Sequence, residues 1–447
     1  MLGAILSLGN RRDVRLARLA LTEGERTRRG AASPKASLCC SYPCGGALEK
    51  PGGSRMRLRS LAFAGYRSFA ARSPAAPDRP LQRLQLAPLT ILLGKNNSGK
   101  SSAARLLHHV LLALSHEGKD PFPMAGGRET YGQSFRDVQH GGSFFNPLDL
   151  DLDLSSDEGA RTTFTAQLIQ PSDSADDRVP LVQFCRLGGE DIAIEGRPVK
   201  GLLPDVKEAR IWREGARQLL EASCHLGPIR ESVQPGYKVN RGTQDQSLPN
   251  SHEAVAQLLL ADSELRVTVG KWMAENLEGW RVEAPQTLDL FNLVARRAGR
   301  ESNLAAAGQG IQQVLPVAVL CCLRKLGRGS VPFLDIIQQP ELHLHDAAHA
   351  PLGDLLLSAV AGGGGNVVVE THSESLVLRV RRRVAEGLSP DQVALVYVED
   401  TGEGSSLRPI PLRPDGEVEW WPEGVFSESF VEVKAIRRAQ RAHEKAS

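Results

Sequence analysis

Gly94-Lys95-Asn96-Asn97-Ser98-Gly99-Lys100-Ser101, followed by Ser102, is the stretch whose residue types imply chemistry most directly. Two glycines allow a backbone bend in which successive N–H groups point at phosphate oxygens. Lys100 brings a cation to the β- and γ-phosphates, and Ser101 offers a hydroxyl to Mg²⁺. Such a loop needs an apolar strand before it and a helix N-terminus after it, where the helix dipole favours anions. Leu89–Leu93 supplies the strand and the residues from Lys100 onward read as the helix. The expected ligand is a nucleoside triphosphate, ATP, with Mg²⁺.

Two further segments end apolar runs in polar groups. VPFLDIIQQPELHLHDAAHA at 331–350 places Gln338, Gln339 and Glu341 after a buried strand, and NVVVETHSESLV at 366–377 places His372 after another. Ligands of open α/β sheets lie beyond such strand ends. The long separation of Lys100 from Gln338 implies a nucleotide domain split by an insertion. His343 and His345 alternate beside Glu341, but no third ligand stands at zinc-like spacing, so a metal site there is the weaker alternative.

Periodicity supplies the elements that position these groups. Strand-like stretches are Leu58–Phe63, Leu84–Leu86, Thr90–Leu93, Thr162–Ile169, Leu181–Leu187, Val331–Ile337 and Asn366–Glu370; helical ones are Lys100–Leu114, Leu315–Lys325, Ala347–Ala361 and Ser373–Glu386. Residues 115–150, rich in Gly and Phe, read as loop. Asp205–Ser223 and Glu253–Glu278 read as helices of a mostly helical insert. The expected organisation is an extension at 1–55, the first part of the head at 56–190, the insert at 191–300, the second part at 301–412 and a C-terminal cap at 413–447.

With these motifs in order, the chain resembles the ABC-like P-loop ATPases of the branch containing RecF, the SMC heads and the overcoming-lysogenization-defect ATPases. It is most similar to a bacterial group of AAA-type ATPases with a WPEGFF-bearing C-terminal domain of uncharacterised role. The likeness rests on LGPIRE at 226–231, AGQGIQQVLP at 307–316, QQPELHLHD at 338–346, ETHSE at 370–374 and WPEGVF at 421–426, and spans Met56 to about Glu432. It implies an α/β ABC-type head with a discontinuous nucleotide domain. It also implies that His372 is a switch histidine at the γ-phosphate and that Gly308, Gly310 and Gln313 form a signature segment reaching nucleotide on a second copy. ATP would then join two heads into a homodimer. Taken alone, His372 is also readable as an ordinary strand-end histidine and AGQGIQQ as a helix start.

The chain departs from the group's pattern where Gln338 stands in place of a metal-shell Glu, and Gln339 occupies a position often held by a catalytic Glu. An amide accepts a hydrogen bond from water but takes no proton. Asp335 and Glu341 remain: Asp335 as a metal-shell acid or a turn-facing residue, Glu341 as a base or a helix-start acid. The expectation is retained ATP binding with weak hydrolysis, raised by Gln338→Glu. A nucleotide-gated switch with little turnover is the competing reading.

Composition fits a globular protein, with 41% hydrophobic and 24% charged residues. Residues 1–55 carry ten Lys/Arg and four Asp/Glu, so the net charge of +2 conceals a mildly acidic body that gives no support for broad nucleic-acid binding. That extension reads as a disordered tail, as translated sequence ahead of a start at Met56, or as a targeting segment. Seven cysteines without paired CxxC spacing read as reduced thiols of a cytoplasmic protein. Apolar runs such as Val314–Leu323 fall short of the roughly 20 residues of a membrane span. The resemblance leaves DNA open as a partner; Arg379–Arg383 and Lys434–Arg441 are phosphate-contact segments or solvated helix faces. ALVYVED at 394–400 looks like the opening of a nuclease domain, but no DxD pair follows to hold its metals. Trp420, Trp421 and Phe426 read as anchors of the tail.

Overall fold

Strand formation here follows from apolar residues needed on both faces of a sheet. Leu89–Leu93 is buried throughout, and its side chains alternate between two cores: Leu89, Ile91 and Leu93 enter one and Leu92 the other. Val367 and Val369 separate from Val368, and Ile337 from Ile336, in the same way.

A computed structural model describes residues 56–446 apart from 73–75, 127–128, 143–145, 157–160, 171–178, 192–198, 241–247 and 427. The N-terminal extension lies outside the described residues. In chain order the elements used below are β1 (Met56–Ala64), β2 (Gln82–Gln85), β3 (Leu89–Leu93), α1 (Lys100–Ser115), β4 (Leu148–Ser156), β5 (Arg161–Ile169), β6 (Leu181–Leu187), β7 (Glu190–Asp191) and α2 (Lys207–Glu221). There follow β8 (His225–Leu226), α3 (His252–Ala261), α4 (Ser263–Asn276), α5 (Gln309–Lys325), β9 (Phe333–Gln338), α6 (Asp346–Val360), β10 (Gly365–Glu370), α7 (Glu374–Ala385), β11 (Val393–Asp400), β12 (Ser405–Ile410) and α8 (Glu428–Ala446).

The central sheet runs β8-β9-β10-β3-β11-β12, parallel except for the antiparallel edge β12. A second, antiparallel sheet runs β2-β1-β4-β5-β6-β7. One core joins the inner face of that sheet, through Leu58, Leu150 and Phe164, to α1 and to one face of the central sheet. The other core lies under α3 to α7, with Val255, Val269, Leu315, Leu352 and Leu376. Because β3, β9, β10 and β11 run parallel, their C-terminal ends emerge along one edge, and register sets Gln338 beside Glu370 and Glu370 beside Leu92.

Three differences from the sequence reading have local causes. Glu253–Glu278 is two helices, because Asp262 ends the first and caps the second through a 3.0 Å bond from the Leu265 amide. The stretch expected as loop ends in β4, whose strict Leu-Asp alternation pairs with β1 and β5. Among its described residues, the segment expected as a mostly helical insert also carries three small antiparallel sheets, one of them built from Arg281–Glu283, Val294–Arg297 and Arg300–Asn303.

The C-terminal part turns back onto the head. Trp420 donates to the Pro409 carbonyl at 3.0 Å beneath the Arg408 guanidinium, and Trp421 donates to the Val425 carbonyl. Among the described residues no helix is long and apolar enough to cross a membrane.

Candidate functional site

The loop after β3 is shaped by backbone that other residues adopt at a cost. Gly94 and Gly99 have φ of 151° and 100°, and Asn97 adopts the left-handed region at 63°. A Cβ on Gly99 would stand 2.7 Å from both Ser68 Oγ and Ser405 Oγ, so only glycine lets the loop pass between those segments. α1 then starts with no side-chain cap and no acid in its first turn, which leaves its first N–H groups for an anion.

Lys100 is almost wholly buried, and its ammonium donates to the Gly94 carbonyl at 3.0 Å and the Lys95 carbonyl at 2.6 Å. Burial lowers its pKa from the ordinary lysine range, against the opposing charge of Glu370. The loop faces a cleft of about 570 Å³, bordered by Asn97, Ser98, Ser101 and Ser102, by Arg67 and His140, and by the 400–405 turn. That volume suits a nucleotide-sized ligand. Arg67 and His140 were not legible in the sequence; they come from loops, and the His140 ring bonds the Arg67 carbonyl at 2.8 Å.

At the strand edge, Ser101 Oγ donates to Glu370, lying 3.0 and 2.8 Å from its two carboxylate oxygens. Gln338 Nε2 donates to Glu370 Oε2 at 2.7 Å, and Gln338 Oε1 accepts from His225 Nε2 at 3.0 Å. His225 Nδ1 stands 2.8 Å from Glu129 Oε1. A serine hydroxyl and a carboxylate, oxygen donors of the kind hard cations take, thus meet at this edge. Glu370 went unrecognised as a site acid because its role depends on which strand lies beside β3.

Glu341 is buried; Oε1 accepts the His372 amide at 2.7 Å and Oε2 is buried without a hydrogen-bond partner. Burial, then the Lys100 charge, holds the His372 imidazole below its ordinary pKa, so it is mostly neutral at pH 7. Gln339 turns the chain after β9 with φ of 45°, its backbone N–H donating to the Glu370 carbonyl.

Asp335 does not reach the cleft, contrary to its expected place in the metal shell. It is fully buried, paired in two bonds of 2.8 and 2.9 Å with Arg324, and accepts the Cys224 amide. Burial raises its pKa and Arg324 opposes that rise. A charge inside an apolar strand looked like a ligand because its partner sits on α5. Gln313 is also turned inward: it accepts the Arg230 amide at 3.0 Å and donates to the Arg230 carbonyl at 2.9 Å. Its amide is therefore used within this head. Gly308 is exposed at the start of α5, while Gly310 packs so closely that a Cβ would come 2.4 Å from the His343 carbonyl oxygen. Neither lines the cleft of its own head.

His343 and His345 gather no metal set: among the described residues no three His, Cys, Asp or Glu could hold an ion together. The described cysteines, Cys185, Cys224, Cys321 and Cys322, are buried and free. Within 379–383 each arginine has a partner, Asp354 for Arg379 and Arg383, Glu417 for Arg381 and Glu386 for Arg382.

Comparison with solved structures gives a likeness to an SMC head domain with an extended coiled coil from Pyrococcus furiosus, bound to the C-terminal domain of ScpA. The TM-score is 0.50 at 10% identity, covering 86% of this chain and 100% of that one. The fold is an ABC-ATPase-like P-loop fold. The SMC head from Thermotoga maritima (TM-score 0.40, 12% identity, 79% of this chain and 99% of that one) is also similar, but adds nothing to that argument. Nor does an SMC head bound to the C-winged helix domain of ScpA (0.48, 11%, 80% and 98%). The model of a family described as "Protein of unknown function (DUF3696)" matches residues 388–435. No curated protein matches the chain.

Proposed function

We propose that this protein binds ATP with Mg²⁺ in the cleft over α1 and hydrolyses it, as an ABC-like ATPase whose nucleotide is shared between two heads. The observation that carries this reading is the buried Lys100, folded back onto the carbonyls of Gly94 and Lys95 at an uncapped helix start. An ammonium buried without an anionic ligand is costly, and a polyphosphate in the cleft would take over its hydrogen bonds. Mg²⁺, held at Ser101, would offset the phosphate charge. Glu341 is the residue available to take a proton from water, and neutral His372 the donor toward the γ-phosphate. Exposed Gly308 and Gln309 at the start of α5 form the surface that would reach the partner head.

A second reading, a nucleotide-gated switch with slow turnover, is favoured by the neutral Gln338 and Gln339 and by the tie between Glu341 and the His372 backbone. DNA as a partner draws little support from α7, whose arginines are already paired. Sizing the protein with and without ATP–Mg²⁺ while measuring phosphate release separates these readings. Dimer formation with release supports the ATPase, dimer formation without release supports the switch, and neither change contradicts both.

A further inference from the structure

The end of β9 carries an amide where a carboxylate would serve a metal, while the neighbouring strand end carries a carboxylate. Gln338 and Glu370 are register partners on adjacent parallel strands, so an acid moved from one to the other shifts sideways by one strand spacing, about 4.8 Å. A glutamate side chain spans that shift, and Ser101 Oγ contacts both Glu370 oxygens. We infer that Glu370 is the carboxylate that holds the divalent cation with Ser101, and that Gln338 is its positioning residue. This inference rests on the reading that ATP–Mg²⁺ occupies the cleft.

The orientation of Gln338 follows from its neighbours. An ionised carboxylate only accepts, so the amide nitrogen must face Glu370 and the amide oxygen must face His225, whose Nε2 then donates. The other His225 nitrogen, Nδ1, stands 2.8 Å from Glu129 Oε1, and the ring makes both contacts when it carries both protons. The amide is thereby locked with its donor aimed at Glu370 Oε2, a contact a carboxylate at position 338 could not make without a cation between. Of the remaining acids, Glu341 holds the His372 amide through Oε1 and has no contact with Ser101, and three others are engaged elsewhere. Asp335 is paired with Arg324, Asp400 accepts the Gly402 amide, and Glu403 pairs with Arg79. Mg²⁺ sites in nucleotide enzymes commonly use one or two carboxylates plus substrate phosphates, so one glutamate and one serine suffice.

The test measures ATP affinity by calorimetry, with Mg²⁺ and with EDTA, for the unaltered protein, Glu370→Gln, Gln338→Ala and the exchange Gln338→Glu/Glu370→Gln. Bound Mn²⁺ is followed by its EPR signal in the presence of nucleotide. The unaltered protein is expected to bind more tightly with Mg²⁺. Glu370→Gln should lose that gain by at least about tenfold and lose the bound Mn²⁺ signal, with no loss of affinity in EDTA. Gln338→Ala should weaken Mn²⁺ binding about 10- to 100-fold, the range for partners that orient a ligand. The exchange variant should recover both readouts. Full Mg²⁺ gain and Mn²⁺ signal in Glu370→Gln, or no recovery in the exchange variant, would overturn the assignment while leaving ATP binding intact. Absence of ATP affinity in every condition would instead remove the proposed function, and this inference with it.

Discussion

Glu341 and His372, 31 residues apart, are joined by a 2.7 Å hydrogen bond from the His372 amide to Glu341 Oε1. The bond fixes one carboxylate oxygen against the loop after β10 and leaves the other, Oε2, buried and without a partner. A carboxylate in that state carries acceptor capacity that nothing in the protein uses.

Glu341→Gln keeps an oxygen for the His372 amide while removing the base. ATP affinity should stay within about twofold, and kcat should fall by about 10²- to 10⁴-fold, the usual contribution of a positioned base. Single-turnover phosphate release beside a binding titration reads both quantities. Unchanged kcat would remove Glu341 from the reaction.

Asp335→Ala separates a structural ion pair from a metal ligand. Removing one partner of a fully buried pair leaves the Arg324 guanidinium unpaired, a loss of about 3–5 kcal/mol. Denaturant unfolding should show that loss, and the ratio of ATP affinities with Mg²⁺ and with EDTA should not move. A changed ratio in a folded variant would return Asp335 to the metal shell.

Gln338→Glu sets a second carboxylate within about 2.7 Å of Glu370, and like charges so close oppose each other unless a cation lies between them. If Glu370 holds the cation as inferred above, this repulsion opposes the gain in turnover expected of Gln338→Glu from the sequence. The variant should melt several degrees lower than the parent in EDTA, and Mg²⁺ should restore most of the difference. Equal melting in EDTA would contradict the contact between the two side chains.

How much of this was legible beforehand follows from the range of the interactions. The phosphate loop and its flanking strand and helix are local, so spacing and periodicity revealed them. The break at Asp262 was also local, but its capping role was hidden inside a continuous apolar pattern. Glu370, by contrast, gains its meaning from strand order: β10 lies between β3 and β9, although β3 is distant in sequence from both. Asp335 was misread for the same reason, because Arg324 meets it only when α5 packs over β9. Arg67 and His140 lie in two turns that bond each other, Arg67 to the Val138 carbonyl and His140 to the Gly65 carbonyl, and no spacing rule points to them.

Two buried histidines on α1 give the molecule an acid sensitivity. His108 bonds the Leu334 carbonyl at 2.7 Å and His109 the Pro123 carbonyl at 2.9 Å. Burial lowers their pKa to about 4 and about 3. The unfolded chain takes up these protons near pH 6.5 while the folded one does not, so stability falls as pH drops from about 6.5 toward 4. The urea midpoint should be lower at pH 5 than at pH 7.5, and His108→Gln should reduce the difference. A midpoint unchanged between the two pH values would contradict the neutral state of both rings.

The proposed ATP binding depends most on the loop at Gly94–Ser101 holding a triphosphate through Lys100. Calorimetric titration of the full chain with ATP–Mg²⁺, beside Lys100→Ala, tests it directly. Saturable binding by the parent, weakened about 10- to 100-fold in the variant as charge-assisted bonds to phosphate are lost, is the predicted result; no heat of binding in the parent, or equal affinity in the variant, would contradict it.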